Sequence, residues 1–513
     1  MRGASLGAEG AFRAGAAGVG VDPPLGLPML GVVRRDKPAG MRLGPLEVTA
    51  VAFASGESRI VVCGVDTLAI QSPEVNELRG RIADSTGAER GGILLNWNHT
   101  HHAPPGGLST YGAFGERELE PDGPTKAYVD LLHARIVEAC RLACERLEPA
   151  WPRWGLGFAD LAINRRQRDP DGHVTRIGWH ADGFVDTSVP VLQAVRRDGS
   201  AVATVVGYGC HTVTTGLAVG GYSPDYPGPL RDLVRQVTGG ECVFLQGAGG
   251  NVMPRVAFDD EAVEWRRMGR ALAVEALHAV NARPGWPFRF ITTGFGSGTA
   301  LDLFRPELVE APPPALAAIE EQVDFPLNPL PSREEITAQR VQAEEELAAA
   351  EARDAPEPEL RILRYHGANW ARRAEAEILG GAPRTSVPGS IHAVRIGDAA
   401  IVTGPGEIFT EIGLAVKERS PADVTLYAGY TNGCVSYMPT AAEYPLGGYE
   451  PSYGHKTYGL PAQVSPDTER ILVETGVRLV RSLFPERKPP GVAGWIATGR
   501  LPDPPPLPVY QRP

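Results

Sequence analysis

The sequence has no CxxC pair, and its six cysteines, Cys63, Cys140, Cys144, Cys210, Cys242 and Cys434, are spread along the chain. That excludes zinc ribbons and thioredoxin-type redox motifs. Cys140 and Cys144 share one face of a helix-like stretch and read as small core residues rather than thiolate ligands. Several of the six lie in apolar runs, which fits reduced thiols in a reducing compartment. No run approaches eighteen consecutive apolar residues, so no membrane span is expected. The first thirty residues lack a continuous apolar segment of the secretory kind, and a cytoplasmic location is expected. There is no GxSxG elbow, no HExxH helix and no GxxxxGK[ST] phosphate loop. The run GFGSGTA at 294–300 lacks the third glycine or alanine of a dinucleotide fingerprint and reads as a turn. Positive charge is short as well: the net charge is -11 and the pI about 5.6. Nucleic acid is therefore not expected as a partner, nor is electrostatic attachment to an anionic membrane.

What remains is a globular composition, 43% hydrophobic and 22% charged over 513 residues, enough for a sizeable core. Residues 1–15 are expected to be disordered. Short apolar runs bounded by turn residues predict strands at 49–54, 59–66, 93–98, 156–164, 202–209, 242–246 and 288–296. The segment 125–147 predicts an amphipathic helix, with Leu132, Ile136, Cys140, Ala143 and Leu147 at spacings of three and four. A further helix is expected at about 261–282. This alternation predicts an α/β chain with mostly parallel or mixed sheets. Residues 305–332, rich in Pro and Glu, read as a connecting loop, and 333–378 as an exposed helical hairpin broken at DAPEPE. The β pattern returns after Pro388. The Pro-rich end, including LPDPPPLPVYQRP, reads as an extended tail over 486–513.

Four polar clusters each follow a strand-like run. ILLNWN leads into HTHHAPPGG with His99, His101 and His102. VATVVGYGC leads to His211, AAIVTGPG to Glu407, and VTLYAGYTNGCVSY to Tyr437. Ligands bind beyond the carboxyl ends of strands in open α/β sheets, so these clusters are candidates for one site. In an extended segment His99 and His101 point to the same side, and His102 points away. Eleven residues beyond His211 begins the run YSPDYPGPL, which places Asp225 before a Pro-Gly turn. CVFLQ runs into GAGGNVMPR, where Gly247, Gly249 and Gly250 either let the backbone approach a ligand or simply make a tight turn.

Together NHTHHAPPG, INRR, CHTV, SPDYPG, FLQGAGGNVMPR, GPGEIF and YTNGCVSYMPTAAEY resemble the neutral/alkaline non-lysosomal ceramidases, over roughly residues 14–485. That family consists of zinc amidases that cleave N-acylated sphingoid bases. The resemblance implies a ceramidase-like catalytic domain over 16–485, an α+β arrangement of mixed sheets carrying the hairpin at 333–378. It implies one Zn²⁺ per chain, held by His99, His211, Glu407 and Tyr437, with His101 beside the metal water. The family's SPN-type serine falls at Met253, and a thioether cannot attack a carbonyl, so metal-activated water is the expected nucleophile. The 76 residues after Tyr437 are too few for the rest of that domain plus the C-terminal β-sandwich of the larger ceramidases, so a shorter homologue is expected.

On this reading the chain hydrolyses a carboxamide, in lipid metabolism or on another amide. His101 or Asp225 accepts the water's proton. Tyr437 donates to the oxyanion or stays a ligand. Asn251 and the N–H groups of the glycine turn at Gly250 are further oxyanion candidates. Asn164 and Arg165 hold polar substrate groups, or Arg165 is an ion-pair partner. A small-molecule or lipid-like amide is the expected partner. The alternatives are an esterase or lactonase using the same metal, and a non-catalytic binding homologue.

Overall fold

In a computed structural model, residues 12–32, 35, 37–111, 123–281, 286–295 and 302–487 are described. The expected turn at 294–300 falls mostly outside them, as do most of the tail and residues 1–11. The first strand, Arg13–Val21, begins inside the segment expected to be disordered.

Three larger sheets carry the architecture. The first runs Ile93–Trp97, Ser58–Val65, Leu46–Ser55, Arg13–Val21, Glu148–Pro149. The second runs Glu241–Gln246, Ala201–Tyr208, Ser188–Val195, Trp151–Phe158. The third runs Leu316–Pro326, Ser386–Ile396, Ala399–Thr403, Val424–Ala428. Most neighbours are antiparallel, but each sheet ends in one parallel pair. These pairs are Ser58–Val65 with Ile93–Trp97, Ala201–Tyr208 with Glu241–Gln246, and Ala399–Thr403 with Val424–Ala428. These six strands are near-continuous runs of β-branched and aliphatic residues because both their faces are covered.

Each of the six sends a side chain into one shared core, among them Val62, Leu94, Val205, Leu245, Ile401 and Leu426. The three sheets therefore pack face to face around a common centre. Fully burying each such side chain is favourable by about 1.5–3 kcal/mol. Helices cover the outside: Gly123–Glu145 packs on the first sheet, Pro227–Thr238 and Glu264–Asn281 on the second, Thr410–Arg419 and Asp467–Ser482 on the third. All three parallel pairs release their loops at the same end, which is where the candidate residues lie.

Two sequence expectations change. The run 156–164 is not one strand but parts of two, Trp151–Phe158 and Ala162–Arg168, which belong to different sheets. The expected loop at 305–332 contains the eleven-residue strand Leu316–Pro326, paired along its whole length with Ser386–Ile396. Its interior glutamates hide the alternation. Glu320 is held there by the Arg79 guanidinium at 2.7 Å. The segment 333–378 forms the helices Arg333–Ala352, Glu357–Ile362 and Trp370–Leu379, with a π-helical turn at Leu363–Asn369.

Candidate metal centre

His99 leaves the end of Ile93–Trp97 in a left-handed conformation, φ 64°, rather than extended. Such a backbone is uncommon for a residue with a Cβ and marks a position held by its surroundings. His99 N donates to Thr67 O, and His99 Nδ1 lies 2.9 Å from Leu68 O. His211 follows Ala201–Tyr208, and its Nδ1 lies 2.6 Å from Gly249 O. A carbonyl only accepts, so each Nδ1 carries the hydrogen and each Nε2 keeps a lone pair.

Both Nε2 atoms face the same carboxylate oxygen. Glu407 Oε2 is 3.2 Å from His99 and 3.0 Å from His211. The second contact lacks hydrogen-bond geometry, and His211 Nε2 has no hydrogen-bond partner. Lone pairs on two neutral imidazoles and a carboxylate repel at this range unless a proton or cation lies among them. This donor set of two imidazoles and a carboxylate suits zinc. His101 joins the group. One ring nitrogen from each of His99, His101 and His211 lies within 4.8 Å of the others. Both ring nitrogens of His101 are buried without a hydrogen-bond partner. Gly31 leaves it room, since a Cβ there would stand 2.6 Å from His101 Nδ1.

The electrostatics follow from burial. Burial would raise the Glu407 carboxyl, but the nearness of His99 and His211 outweighs it and holds the group well below the usual carboxylate range. Burial, then Arg165, pushes His211 down to about 4. Burial, then His99 and His211, pushes His101 well below its ordinary value, so its imidazole is neutral.

Glu407 is positioned from the other side by tyrosines that the sequence reading did not single out. Tyr430 donates to Oε2 at 3.3 Å and Tyr458 donates to Oε1. Tyr430 is also left-handed, φ 49°, and its ring lies 4.5 Å from that of His99. Its one sequence signal is its place just beyond the strand Val424–Ala428. Tyr458 sits in a helical turn with no motif around it.

Tyr437 is paired in parallel with Glu407 through the short strands Tyr437–Met438 and Glu407–Ile408. Its hydroxyl accepts from Arg165 Nη2 at 3.1 Å. Burial, then the Glu407 charge, holds this phenol well above its ordinary range, while Arg165 pulls the other way. Arg165 is itself fixed by Glu450 at 2.9 Å, and Arg166 by Glu450 and Glu443 at 2.7 and 2.6 Å.

The remaining expected residues are engaged elsewhere. Asp225 accepts from Thr214 Oγ1 at 2.5 Å, from Thr215 N at 3.0 Å and from Tyr226 N at 2.8 Å, so its carboxylate holds its own loop. Asn251 donates to Glu411 and accepts from Thr410 N, tying the glycine turn to the start of the helix Thr410–Arg419. Gly250 N donates to Ile408 O at 2.8 Å. A Cβ on Gly250 would stand 2.3 Å from Glu407 O, so this glycine permits close backbone packing. Asn164 donates to Phe184 O and accepts from Arg166 N. It also lines a cavity of about 520 Å³ with Trp179 and Phe184. Met253 lies in the strand Val252–Pro254 opposite Ile163. His102 turns away from the group, its Nε2 3.1 Å from both Gly216 O and Arg35 Nη2.

The described residues contain no helix long and apolar enough to cross a membrane. No protein-family model matches the chain, and no curated protein matches it. Solved structures do. The fold is similar to that of a neutral ceramidase from Pseudomonas aeruginosa, with TM-score 0.63 and 19% identity over 94% of this chain and 75% of that one. A ceramidase complexed with C2 matches with TM-score 0.63 and 17% identity over 94% of this chain and 76% of the other. The fold is therefore ceramidase-like.

Proposed function

We propose that the chain is a zinc-dependent hydrolase of carboxamide bonds, with His99, His211, Glu407 and Tyr437 as the ligand set. The observation that carries this reading is the convergence of two Nε2 atoms, their Nδ1 atoms anchored on carbonyls, upon one buried carboxylate oxygen. The ceramidase-like fold supports an amide as substrate. Zinc bound there would supply a water of pKa about 7 and polarise the amide carbonyl.

The chain's own residues do the rest. Leu68 O and Gly249 O fix the tautomers and orientations of His99 and His211, the usual role of second partners around ligating histidines. Tyr430 and Tyr458 hold the Glu407 carboxylate and reduce the cost of its buried charge. His101, with both ring nitrogens buried and unpartnered beside His99 and His211, is placed to take the proton of the attacking water and return it to the leaving amine. Asp225, saturated by its own loop, takes no part in that transfer. Arg165 stabilises negative charge on the Tyr437 oxygen.

The test is metal content of the pure protein, compared between wild type and His211→Ala. About one zinc per wild-type chain and a large loss in the variant are expected; equal, negligible zinc in both would end the reading. Matched amide and ester substrates, each with and without chelator, separate an amidase from an esterase or lactonase. Turnover confined to the ester would shift the assignment to the latter.

A further inference from the structure

Outside the metal centre, basic side chains gather where the helical segment 333–379 meets residues 454–460. The π-helical turn Leu363–Asn369 carries His366, whose Nε2 lies 3.4 Å from Thr457 Oγ1. Single π turns inside helices recur at functional positions because they shift a side chain out of the regular register. His455 packs edge-on against Trp370 at 5.5 Å, and Lys456 Nζ lies 4.1 Å from the centre of the same ring. His455 is 5% exposed, and its Nδ1 has no hydrogen-bond partner.

The group is short of negative charge. Among the described residues no carboxylate lies within ion-pair distance of Lys456, His366 or His455. The acid whose field reaches Lys456 is Glu346, and it accepts from Gln342 on its own helix. Burial lowers the Lys456 ammonium. Burial, then Lys456 and Arg373, brings His366 down to about 4. Burial, then Lys456 and His366, brings His455 down to about 3. Lys456 is half-buried, and its ammonium lies over the Trp370 and Tyr453 rings with no carboxylate beside it. Such a partly desolvated cation gains when an anion enters, and the neutral imidazoles of His366 and His455 can add N–H donors to it.

The group also adjoins the metal centre. Gly454 lies against the Tyr437 ring, where a Cβ would stand 2.5 Å from Cδ2. Thr457 Oγ1 is 2.9 Å from Tyr449 OH, and the Tyr449 ring lies 5.4 Å from that of Tyr437. Tyr458, two residues after Lys456, donates to Glu407. One short segment thus touches both the carboxylate of the metal centre and the basic group.

We propose that Lys456, with His366 and His455, forms an anion subsite that receives a carboxylate carried by an amide substrate. The inference rests on the amide-hydrolase reading for the substrate, not for the site itself. It narrows the substrate to an acidic amide, one whose amine or acyl limb ends in a carboxylate.

Three substrates test it: N-hexanoylglycine, its neutral analogue N-hexanoylglycinamide, and N-propylsuccinamate, which places the charge on the acyl limb. Wild type is expected to favour one of the acids over the neutral amide at least tenfold in kcat/KM, and the favoured acid identifies the limb. In Lys456→Met, which keeps a stem to pack on Trp370, the ratio should fall to within twofold of one. Lys456→Arg should retain it. No acid preference in wild type, or an unchanged ratio in Lys456→Met, overturns the proposal while leaving the hydrolase reading intact. Binding of N-acetylglycine against N-acetylglycinamide by calorimetry gives a readout without turnover. If no amide is cleaved, a tenfold weaker acid affinity in Lys456→Met still supports the subsite, and equal affinities overturn it.

Discussion

Asn96 sits at the end of Ile93–Trp97, fully buried, and ties all three sheets together. Its Nδ2 donates to Gln246 O, Gly429 O and Thr431 Oγ1 at 3.2, 2.7 and 2.9 Å, and its Oδ1 accepts from Gln246 N at 2.8 Å. Gln246 ends a strand of the second sheet, and Gly429 follows one of the third. Asn96→Ala would take this partner from the buried N–H and C=O of Gln246, while Gly429 O keeps Thr431 Oγ1; each buried group left unpaired costs about 1–3 kcal/mol. The expected loss is about 3–5 kcal/mol in urea unfolding. Tyr458→Phe acts differently, removing one donor from Glu407 and little volume. Zinc affinity measured by competition with a chelator should fall about tenfold or more, as for other second partners of metal ligands. At the candidate centre, His99, His101, His211 and Glu407 could be picked out in the sequence as histidines and an acid just beyond apolar runs, and Tyr437 through the block YTNGCVSYMPTAAEY and its family resemblance. Tyr430, Tyr458 and Asn96 could not, since a lone tyrosine or asparagine beside a strand carries no periodic or spacing signal. Asp225 shows what spacing alone leaves out: a carboxylate before a Pro-Gly turn can have its oxygens engaged by the turn, as these are by Thr214, Thr215 and Tyr226.

At the scale of elements, the six strands of the parallel pairs were legible because continuous apolar runs bounded by glycine and polar residues have few other uses. Leu316–Pro326 was hidden because an edge strand has one solvated side and tolerates Glu320 and Glu321 among its apolar residues. The break between Phe158 and Ala162 was hidden because Ala159 and Leu161 continue the apolar run across it. The turn Gly454–Thr457 is legible only in three dimensions, since it needs a bare α-carbon against the Tyr437 ring. Gly454→Ala should therefore displace that ring or the turn itself. Overpacking of this kind costs about 1–3 kcal/mol. The expected result is a fall in kcat/KM for the amide substrate larger than the modest drop in unfolding midpoint. A loss of stability with unchanged turnover would show that the ring is not positioned by this contact.

For the whole molecule, acid should be destabilising through buried neutral histidines. His392 has Nδ1 3.2 Å from Gly91 O, and its Nε2 lies 3.0 Å from both Ser390 Oγ and the Asn432 amide nitrogen. Burial, then Arg79, brings it down to about 4. Its folded pKa lies below the unfolded value of about 6.5, so between these values the unfolded chain binds the proton and the folded chain does not. Stability therefore falls as pH drops from about 6.5 to about 4, and His366 and His455 act in the same direction. Urea unfolding of the apoprotein at pH 7, 6 and 5 should show a falling midpoint, less steep in His392→Gln. Metal should act oppositely: saturating zinc raises the unfolding temperature through its preference for the folded state.

The three parallel pairs meet at one end, and each leads into one of the side chains gathered at the candidate metal centre, His99, His211 and Glu407. A growing chain that has emerged only as far as residue 398 owns all three imidazoles of the cluster but not the carboxylate that closes it. Tight zinc retention would then be a late event in biogenesis, reporting that the last sheet has docked. Fragments lacking that sheet should let the ion go.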